Sequence, residues 1–487
     1  MGAPTTLTVT GIVFLSMGVF IGWFAFPRMI HNKILESKAI NPRSPMRQMW
    51  EHPPITADFK IFLFNVTNPE EAQKGEKVIL KEVGPYFYHE WKFKEDLEDD
   101  SKSDTVEFSF KNTFIFDEMM TLPLTGEEII TMPHLAMLGM VTMTKMTKPA
   151  AIGLINKAIP LLYPDQTNAF MTATANDIMW NGLDINCTSS EFPAVAVCTQ
   201  IRQNSASLHK INNNHFKFSL LGVKNGTVES NRYVVNRGLK MPMDVGQVIR
   251  FNGKHKMDVW PGDECNRIYG TDTTIFQPFI STDTNLASFS GDLCRSLNTD
   301  YVQETQYNGL KVFEYTAMLV KPEEKCFCLN KKKCLKHGAL DLTNCSGSPI
   351  IATLPHFYKS EEYLKDVDGL SPKDENHRIK MYFEPMTGTP LLGYRRMQFN
   401  MFLKKEPKIT VMKTLNEEEK LVPLFWVEEG IALNKTWTSQ IKNKLYLPIT
   451  IVKYAKFVLV ALGIVFIILA VVLNYNSVKT MEVTPNI

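Results

Sequence analysis

The sequence predicts a membrane-anchored α+β protein in which a large antiparallel β region, carrying a helical insertion, lies between two transmembrane helices. Long uncharged segments near both ends, strand-like alternation between them, and apolar residues at helical spacing in residues 119–180 support this fold class. The 487 residues include 53 Lys+Arg, 51 Asp+Glu and 44% hydrophobic residues. This balance is not that of a disordered or nucleic-acid-binding chain.

Both uncharged segments are long enough to cross roughly 30 Å of hydrocarbon. The first runs from Leu7 to Phe26 and the second from Phe457 to Val478. A cleavable signal peptide is the alternative for the first segment, but it would have a basic start, a shorter apolar stretch and a small-x-small cleavage site. The predicted parts are a tail at 1–6, a transmembrane helix at 7–27, an ectodomain at 28–455, a transmembrane helix at 456–476 and a tail at 477–487.

Basic residues flank the inner ends of both segments, at Arg28, Lys33, Lys38, Lys453 and Lys456. Taken alone, the positive-inside bias would place the middle of the chain in the cytosol. A segment of about 420 residues translocates largely regardless of its charge, so the chemistry of that segment decides the orientation. We expect cytoplasmic tails and an extracellular middle in the plasma membrane.

Cysteines and glycosylation acceptors favour the extracellular side. All eight cysteines lie between the two segments, with six of them within residues 265–345. They are Cys187, Cys198, Cys265, Cys294, Cys326, Cys328, Cys334 and Cys345. Asn-x-Ser/Thr acceptors in the same region are Asn65, Asn186, Asn225, Asn344 and Asn434. Chance alone would give about four such acceptors, so the cysteines are the stronger indication.

Two uses of the clustered cysteines are compatible with their spacing. Cys326 and Cys328 are too close for an easy bridge to each other, whereas Cys328 and Cys334 are spaced for a tight loop. Cys187 and Cys198 could close a ring of their own. The alternative is a zinc site made of Cys326, Cys328, Cys334 and Cys345. Disulfides are favoured outside the cytosol, and no metal or other cofactor is expected.

Alternating apolar residues predict strands at 106–116, 379–383 and 396–403. Asn-Gly pairs at 225–226 and 252–253 predict hairpin turns, the second between strands at 248–251 and 257–260. This repetition is typical of an antiparallel barrel or sandwich. In residues 119–180, apolar stripes at helical spacing indicate helices whose several apolar faces pack together or form an adaptable binding surface. Lys145, Lys148 and Lys157 would form a polar rim.

Sequence motifs give no sign of an enzyme. A nucleophile elbow, a Walker loop and a dinucleotide fingerprint are missing from the sequence. His89-Glu90 begins like a metalloprotease helix, but Phe93 stands where the second histidine ligand should be. A membrane-anchored lipid hydrolase therefore remains the weakest alternative.

Several local sequences closely resemble the class B scavenger receptor family. They are Glu82-Val83-Gly84-Pro85-Tyr86, Ile268-Tyr269-Gly270-Thr271-Asp272, Cys294-Arg295-Ser296, Cys326-Phe327-Cys328 and Leu354-Pro355-His356-Phe357. Within this family, the segment 177–187 followed by Cys198 is most similar to insect sensory neuron membrane proteins, with their first type the better match. The resemblance runs from the first predicted span to the second.

The resemblance implies an antiparallel β-barrel ectodomain with a helical bundle at its distal tip and an apolar tunnel leading toward the bilayer. It also implies disulfides Cys265–Cys326, Cys294–Cys345 and Cys328–Cys334. Family members receive anionic lipids at a lysine on the distal helices, and Lys157 occupies the most similar position. Lys148 and Lys145 are weaker candidates.

By this resemblance, the expected function is that of an olfactory co-receptor. It would bind fatty-acid-derived odorants or pheromones and pass them through the tunnel toward the membrane or an odorant receptor. The implied partners are long-chain aliphatic lipids or odorants, the membrane, an odorant receptor complex and an odorant-binding protein, with no nucleic acid. The alternative is a scavenger or adhesion receptor for lipoprotein or anionic-lipid particles.

Overall fold

The computed structural model describes residues 2–203, 208–329 and 334–482. The chain divides into two compact units. One, the helical unit, consists of Met1–Ala39, Gln306–Lys311 and Leu433–Ile487, and the other, the β unit, of Ile40–Thr305 and Val312–Ala432. Met1 and residues 483–487 of the predicted tails lie outside the described residues.

The elements follow one another along the chain without a simple repeat. The helices are α1 (Ala3–Val19), α2 (Phe26–Lys38), α3 (Pro45–Glu51), α4 (Pro69–Gln73), α5 (Glu118–Thr121), α6 (Leu135–Thr147), α7 (Ile152–Leu162), α8 (Phe192–Gln203), α9 (Thr343–Ser346), α10 (Asp374–His377), α11 (Lys435–Ile441) and α12 (Leu447–Glu482). The strands are β1 (Ala57–Val66), β2 (Val78–Asp100), β3 (Thr105–Phe116), β4 (Ile129–Pro133), β5 (Phe170–Thr174), β6 (Leu183–Asn186), β7 (His209–Lys210), β8 (His215–Phe218), β9 (Tyr233–Asn236), β10 (Val248–Phe251), β11 (Ala287–Ser290), β12 (Arg295–Tyr307), β13 (Leu310–Ala317), β14 (Leu340–Asp341), β15 (Ile351–Thr353), β16 (Val367–Asp368), β17 (Lys380–Glu384), β18 (Thr389–Leu403) and β19 (Lys420–Ala432).

The helical unit contains two long apolar helices. α1 continues through a π-helical turn into α2, which gives one helix over Ala3–Lys38, and α11 continues likewise into α12, which gives one helix over Lys435–Lys479. Both are long and apolar enough to cross a membrane. The predicted spans 7–27 and 456–476 lie within them.

The β unit is built on a large, nearly closed antiparallel sheet. Its main path runs β10-β9-β3-β2-β1-β19-β18-β17-β13-β12-β11. The predicted strands at 106–116, 379–383 and 396–403 correspond to β3, β17 and β18. A barrel is therefore the correct choice between the two predicted architectures.

The segment at Gly270 and Thr271 closes the gap between the two edge strands β10 and β11. Thr271 forms isolated bridges with Gln247, next to β10, and with Ser288 in β11. The N–H of Val248 donates to the carbonyl oxygen of Gly270 at 2.9 Å, and the N–H of Thr271 donates to that of Ala287 at 2.9 Å. Both edges of the sheet therefore have backbone partners.

The buried apolar residues of the β unit form two large clusters and a smaller one around Tyr315 of β13 and Phe383 of β17. The first joins residues of β1, β2 and β19, such as Ile61, Tyr86 and Phe425, to the apolar faces of α6 and α7. The second is formed around Phe108 of β3 and Tyr233 of β9. Alternation along the strands produces this inward face, as predicted for a sheet with one buried side.

The segment predicted as a helical insertion contains α6 and α7, together with elements that the sequence did not predict. β4 and β5, at the two ends of the segment that contains α6 and α7, pair as an antiparallel two-stranded sheet, from Ile129 opposite Thr174 to Pro133 opposite Phe170. α8, which packs against α7, lies beyond the predicted boundary. The helical spacing was correctly recognised, but the short strands carry too few residues to show a period of two.

One of the two predicted hairpin turns is wrong. Asn225-Gly226 connects β8 to β9, which pair with different strands, because β8 pairs with β6 and β7 while β9 pairs with β3 and β10. At Asn252-Gly253 both residues have positive φ, 49° and 76°, as a tight hairpin turn requires. The chain beyond this turn makes only isolated bridges at Lys254 and Lys256, so the predicted strand at 257–260 does not form.

Candidate ligand-binding site

The three predicted lysines all lie on or next to α6 and α7. Lys145 is in the last turn of α6, Lys148 immediately follows that helix, and Lys157 is in the middle of α7. All three are exposed. α6 and α7 therefore bring the three ammonium groups to one helical region of the β unit.

Lys145 differs from the other two because it has an acidic partner. Its ammonium group forms an ion pair with Glu406, and this hydrogen bond is the main reason why the pKa of Glu406 lies below its usual value. Within the described residues, neither Lys148 nor Lys157 has an ion-pair partner. Lys148 and Lys157 are therefore the better candidates for meeting a ligand.

The side of α6 and α7 opposite the lysines is apolar and buried. Leu138 and Val141 of α6, and Ile155 and Ile159 of α7, belong to the first apolar cluster. The same cluster includes Leu403 at the end of β18 and other residues of the barrel. An apolar surface therefore continues from the helices to one end of the barrel.

Hydrogen bonds fix the helices onto the loop that follows β18. The side-chain oxygen of Asn156 in α7 accepts a hydrogen bond from the N–H of Thr410 at 2.7 Å. Gln73 donates to the carbonyl oxygen of Val411 at 3.0 Å and accepts from the N–H of Ala169 at 2.9 Å. These bonds orient the helical region without using Lys148 or Lys157.

His134 begins α6 as its N-cap. Its Nδ1 accepts a hydrogen bond from the N–H of Met137, and its ring packs edge to face on Tyr163 at 4.7 Å between centroids. Burial lowers the pKa of His134 to about 4, and burial also raises the pKa of Tyr163. His134 is therefore a neutral structural residue at neutral pH.

A second polar group with two histidines lies against the barrel. Glu82 accepts hydrogen bonds from Nε2 of His356 and Nε1 of Trp426, each at 2.6 Å. The ring of His356 stacks on that of His377 at 4.4 Å, and Nδ1 of each ring accepts a backbone N–H. Burial by itself would raise the pKa of Glu82, but the hydrogen bonds from His356 and Trp426 outweigh burial and keep that pKa below its usual value. The bonds made by these histidines stabilise the loop that carries them.

The inner face of the barrel also carries a chain of charges that the sequence analysis missed. Lys92 of β2 and Arg395 of β18 both form ion pairs with Glu429 of β19, and Lys92 Nζ is 3.5 Å from Glu90 Oε1. Burial raises the pKa of Glu90, whereas Arg395 and Lys92 outweigh burial and lower the pKa of Glu429. The sequence pattern that could have revealed these charges lies in β2, where alternation places Glu90 and Lys92 on the same face as the buried Tyr86 and Tyr88.

The eight cysteines are joined in four disulfides. They are Cys187–Cys198, Cys265–Cys326, Cys294–Cys345 and Cys328–Cys334. The last three are the pairings that the family resemblance implied, and Cys187–Cys198 is the ring that the spacing allowed. The four disulfides leave no free thiol for the alternative zinc site. Among the described residues, no group of three or more potential ligands could hold a metal ion.

The five glycosylation acceptors differ in exposure. Asn225, Asn344 and Asn434 are exposed, while Asn65 and Asn186 are half-buried. Asn65 lies within β1, and its side-chain oxygen accepts a hydrogen bond from the N–H of Thr131 at 2.8 Å. The geometry therefore favours three of the five acceptors.

A cavity of about 520 Å³ lies in the disulfide-rich part of the β unit. Its walls include Arg267, Tyr269, Asn298 and Glu323, together with the Cys265–Cys326 disulfide. This lining is polar and charged, so the cavity is unlike the apolar passage that the sequence analysis expected.

Comparison with known proteins agrees with the fold. The pattern of the CD36 family matches residues 9–474, which include nearly all of both predicted spans. The chain is 40% identical over 467 residues to sensory neuron membrane protein 1 of Ostrinia nubilalis, covering 94% of this chain and 88% of the relative. The protein of the same name from Apis mellifera is 41% identical over 465 residues, covering 94% and 89%. That from Plutella xylostella is 42% identical over 453 residues, covering 92% and 86%.

Proposed function

Because the chain belongs to the CD36 family, we propose that it is an olfactory co-receptor that binds fatty-acid-derived odorants or pheromones and transfers them through the barrel. The acceptor would be the membrane or an odorant receptor. Membership of the family supports, in general, a receptor with a lipid-related or odorant-related role rather than an enzyme. The two apolar helices and the large region between them in sequence agree with a membrane receptor.

The observation that carries the proposal is the first apolar cluster. It continues from the buried faces of α6 and α7 to residues of the barrel strands, while Lys148 and Lys157 remain exposed on the same helices. We expect the aliphatic chain of a ligand to insert among the apolar residues of this cluster and its polar head to lie near one of the lysines. We expect Lys157 to contribute most, then Lys148, and Lys145 least because Glu406 already holds it.

Burial of an aliphatic chain supplies enough free energy to bind the ligand without covalent chemistry. Burying a chain of about 14 methylene groups contributes roughly 11 kcal/mol, at about 0.8 kcal/mol for each, before the costs of immobilisation. Flow along the passage would be downhill, because no energy source is implied. The ectodomain, residues 28–455, would be extracellular, the two tails cytoplasmic, and an odorant-binding protein a donor of ligand.

The test uses the full-length chain in lipid nanodiscs. Native mass spectrometry would detect bound aliphatic molecules, and unlabelled hexadecanoate and hexadecyl acetate would be added to displace them. We expect a stoichiometric ligand that either compound displaces. A chain that carries no such ligand and binds neither compound would contradict the proposal and favour surface recognition of particles.

Lysine variants locate the site. We expect Lys157→Ala to weaken hexadecanoate binding about 3- to 10-fold, the effect of one partly exposed charge-assisted hydrogen bond. Lys210→Ala is the matched control, because Lys210 is also exposed but belongs to β7 rather than to α6 or α7. Equal affinities for both variants would remove Lys157 from the site without affecting the transfer proposal.

A further inference from the structure

The cavity at the Cys265–Cys326 disulfide, which we call the polar cavity, has two walls that are joined covalently. The first wall consists of the lining residues within 264–269, and the second of those within 323–327. The disulfide joins the walls with its Cα atoms 5.8 Å apart. The cavity volume of about 520 Å³ lies within the range of sites that hold small molecules. The bridge therefore keeps both walls at one space of small-molecule size.

Each wall presents one carboxylate and one cation to the polar cavity. The first wall contributes Glu264 and Arg267, and the second contributes Glu323 and Lys325. All four residues are exposed, so a molecule from solution reaches their side chains. Within the described residues, none of the four forms an ion pair, although opposite charges line the same cavity. Two cations and two carboxylates are therefore available to a ligand.

Buried residues hold the base of the polar cavity in place. Arg295 of β12 is only 2% exposed and forms an ion pair with Glu324 at 3.0 Å. Its guanidinium carbon lies 3.6 Å from the ring centroid of Phe327, and its Nε donates to the carbonyl oxygen of Ser296 at 3.2 Å. The base is thus formed before any ligand arrives, which lowers the cost of ordering a site. Binding is left to the charged residues of the walls.

Both aromatic rings among the described lining residues already face a guanidinium group. The ring of Phe327 faces Arg295, and the guanidinium carbon of Arg267 lies 6.0 Å from the ring centroid of Tyr269. Nδ2 of Asn298 donates to the Tyr269 hydroxyl at 2.9 Å, which fixes this ring. Quaternary ammonium ligands bind in cages of aromatic faces. The polar cavity offers carboxylates instead, which suit a primary ammonium group with its three N–H donors.

The two cations favour a phosphate group over a carboxylate. The planar guanidinium group of Arg267 binds two oxygen atoms of an anion side by side, whereas the ammonium group of Lys325 acts as a point charge. A carboxylate has two oxygen atoms, and the guanidinium group would engage both. A phosphodiester has four oxygen atoms, so one wall does not exhaust them. A phosphodiester therefore satisfies the cations of both walls.

We propose that the polar cavity binds a zwitterionic phosphodiester that carries a primary ammonium group, the chemistry of an ethanolamine phosphodiester. Its phosphate lies between Arg267 and Lys325, and its ammonium group donates hydrogen bonds to Glu264 and Glu323. The net charge of such a ligand is zero, which matches two cations and two carboxylates. Among the described lining residues none belongs to α6 or α7, so this inference is independent of the proposed function.

The test compares two soluble probes that differ only in the ammonium group. Glycerophosphoethanolamine and glycerophosphocholine would be titrated calorimetrically against the full-length chain in phosphatidylcholine nanodiscs, with binding to empty nanodiscs subtracted. The choline compound has no N–H to donate to the carboxylates, which predicts about 3- to 10-fold weaker binding. Equal affinities, or binding of neither probe, would overturn the inference and leave the proposed function intact.

A second comparison identifies the source of the phosphodiester. The same nanodiscs would be mixed with phosphatidylcholine liposomes that either contain or lack phosphatidylethanolamine, and flotation would measure recruitment. Recruitment only to the liposomes with phosphatidylethanolamine would support the inference with a lipid head group as the ligand. Binding of glycerophosphoethanolamine without recruitment would support it with a free phosphodiester as the ligand.

Variants then test the groups of the two walls. Glu264→Gln combined with Glu323→Gln should abolish the preference for glycerophosphoethanolamine, whereas Arg267→Gln should weaken both probes about 3- to 10-fold. Asp263→Asn is the matched control, because Asp263 is a neighbouring exposed carboxylate that pairs with Lys256 at 3.1 Å and is not among the lining residues. A preference that survives the double glutamate variant in a chain that still melts cooperatively would contradict the assignment.

Discussion

Gly11 and Gly463 lie so close together that a Cβ atom on Gly11 would stand 2.8 Å from the carbonyl oxygen of Gly463. The reverse holds as well, because a Cβ atom on Gly463 would stand 2.8 Å from the carbonyl oxygen of Gly11. Small residues of this kind let two apolar helices approach closely in a membrane. The pair therefore fixes the packing of α1 against α12 in the helical unit.

We expect Gly463→Leu to separate these helices, because the larger side chain would also overlap Leu15. Cross-linking of Phe14→Cys to Phe466→Cys measures the effect, since the rings at these positions are 5.7 Å apart. Its yield should fall several-fold. Gly153→Ala in α7 is the control, because no atom lies within 4 Å of its added Cβ, and it should leave the yield unchanged.

Barrel closure should depend strongly on Gly270. Its φ is +85°, and an added Cβ would lie 2.5 Å from the carbonyl carbon of Ala287 in β11. Gly270→Ala should destabilise the β unit by about 3 kcal/mol or more, since strain and backbone overlap combine. Gly253→Ala, with φ +76° and open space, should cost only about 1–2 kcal/mol. Similar melting temperatures for the two variants would contradict this account.

The two buried histidines His134 and His377 should lower the stability of the β unit as the pH decreases from 7 to 5, and Glu90, whose pKa burial raises to about 7, should offset part of that loss. Burial lowers the pKa of His134 to about 4, so the unfolded chain takes up a proton near pH 6.5 that the folded chain does not accept until about pH 4. The contribution of neutral His134 to the free energy of unfolding is complete above pH 6.5. Below that pH it declines by up to about 1.4 kcal/mol per pH unit. Burial also lowers the pKa of His377 to about 4, so its contribution has the same sign.

His134→Asn isolates this effect, because asparagine can still cap α6 but does not titrate. Melting temperatures of the variant and the parent chain would be measured at several pH values. We expect a shallower decline for the variant. Parallel curves would show that His134 does not set the pH dependence.

Glycan occupancy should follow exposure. Asn225→Gln, Asn344→Gln and Asn434→Gln should each remove the mass of one glycan, because these acceptors are exposed. Asn65→Gln should leave the mass unchanged, since Asn65 lies in β1 and holds the N–H of Thr131. Mass spectrometry of the intact protein expressed in insect cells measures both results, and an occupied Asn65 would contradict the ranking.

The parts of the fold that could be predicted from the sequence depend on local patterns. The two spans need only length and lack of charge, and β3 and β18 show their inward faces through alternation. The apolar stripes at helical spacing in residues 119–180 likewise identified α6. These signals act over a few residues, so a single sequence contains them.

The parts that could not be predicted depend on residues distant in sequence. Nothing local indicates that Thr271 would bridge both barrel edges, or that Lys145 would be paired with Glu406. The partners of Glu429 lie in β2 and β18, and the sequence gives no sign that Lys92 and Arg395 would meet there. Hairpin prediction at Asn225-Gly226 failed for the same reason, because the flanking strands prefer other partners.

The pairing of β1 with β19 has a consequence for the order of folding. Asp58 in β1 pairs with Gly430 in β19. One edge of β1 therefore has no partner strand until residues 420–432 have been synthesised. Contacts of such large sequence separation form slowly, and an unpaired strand can associate with other chains in the meantime. We expect chaperones to bind β1 during translation, and truncation before Lys420 to leave a chain that aggregates.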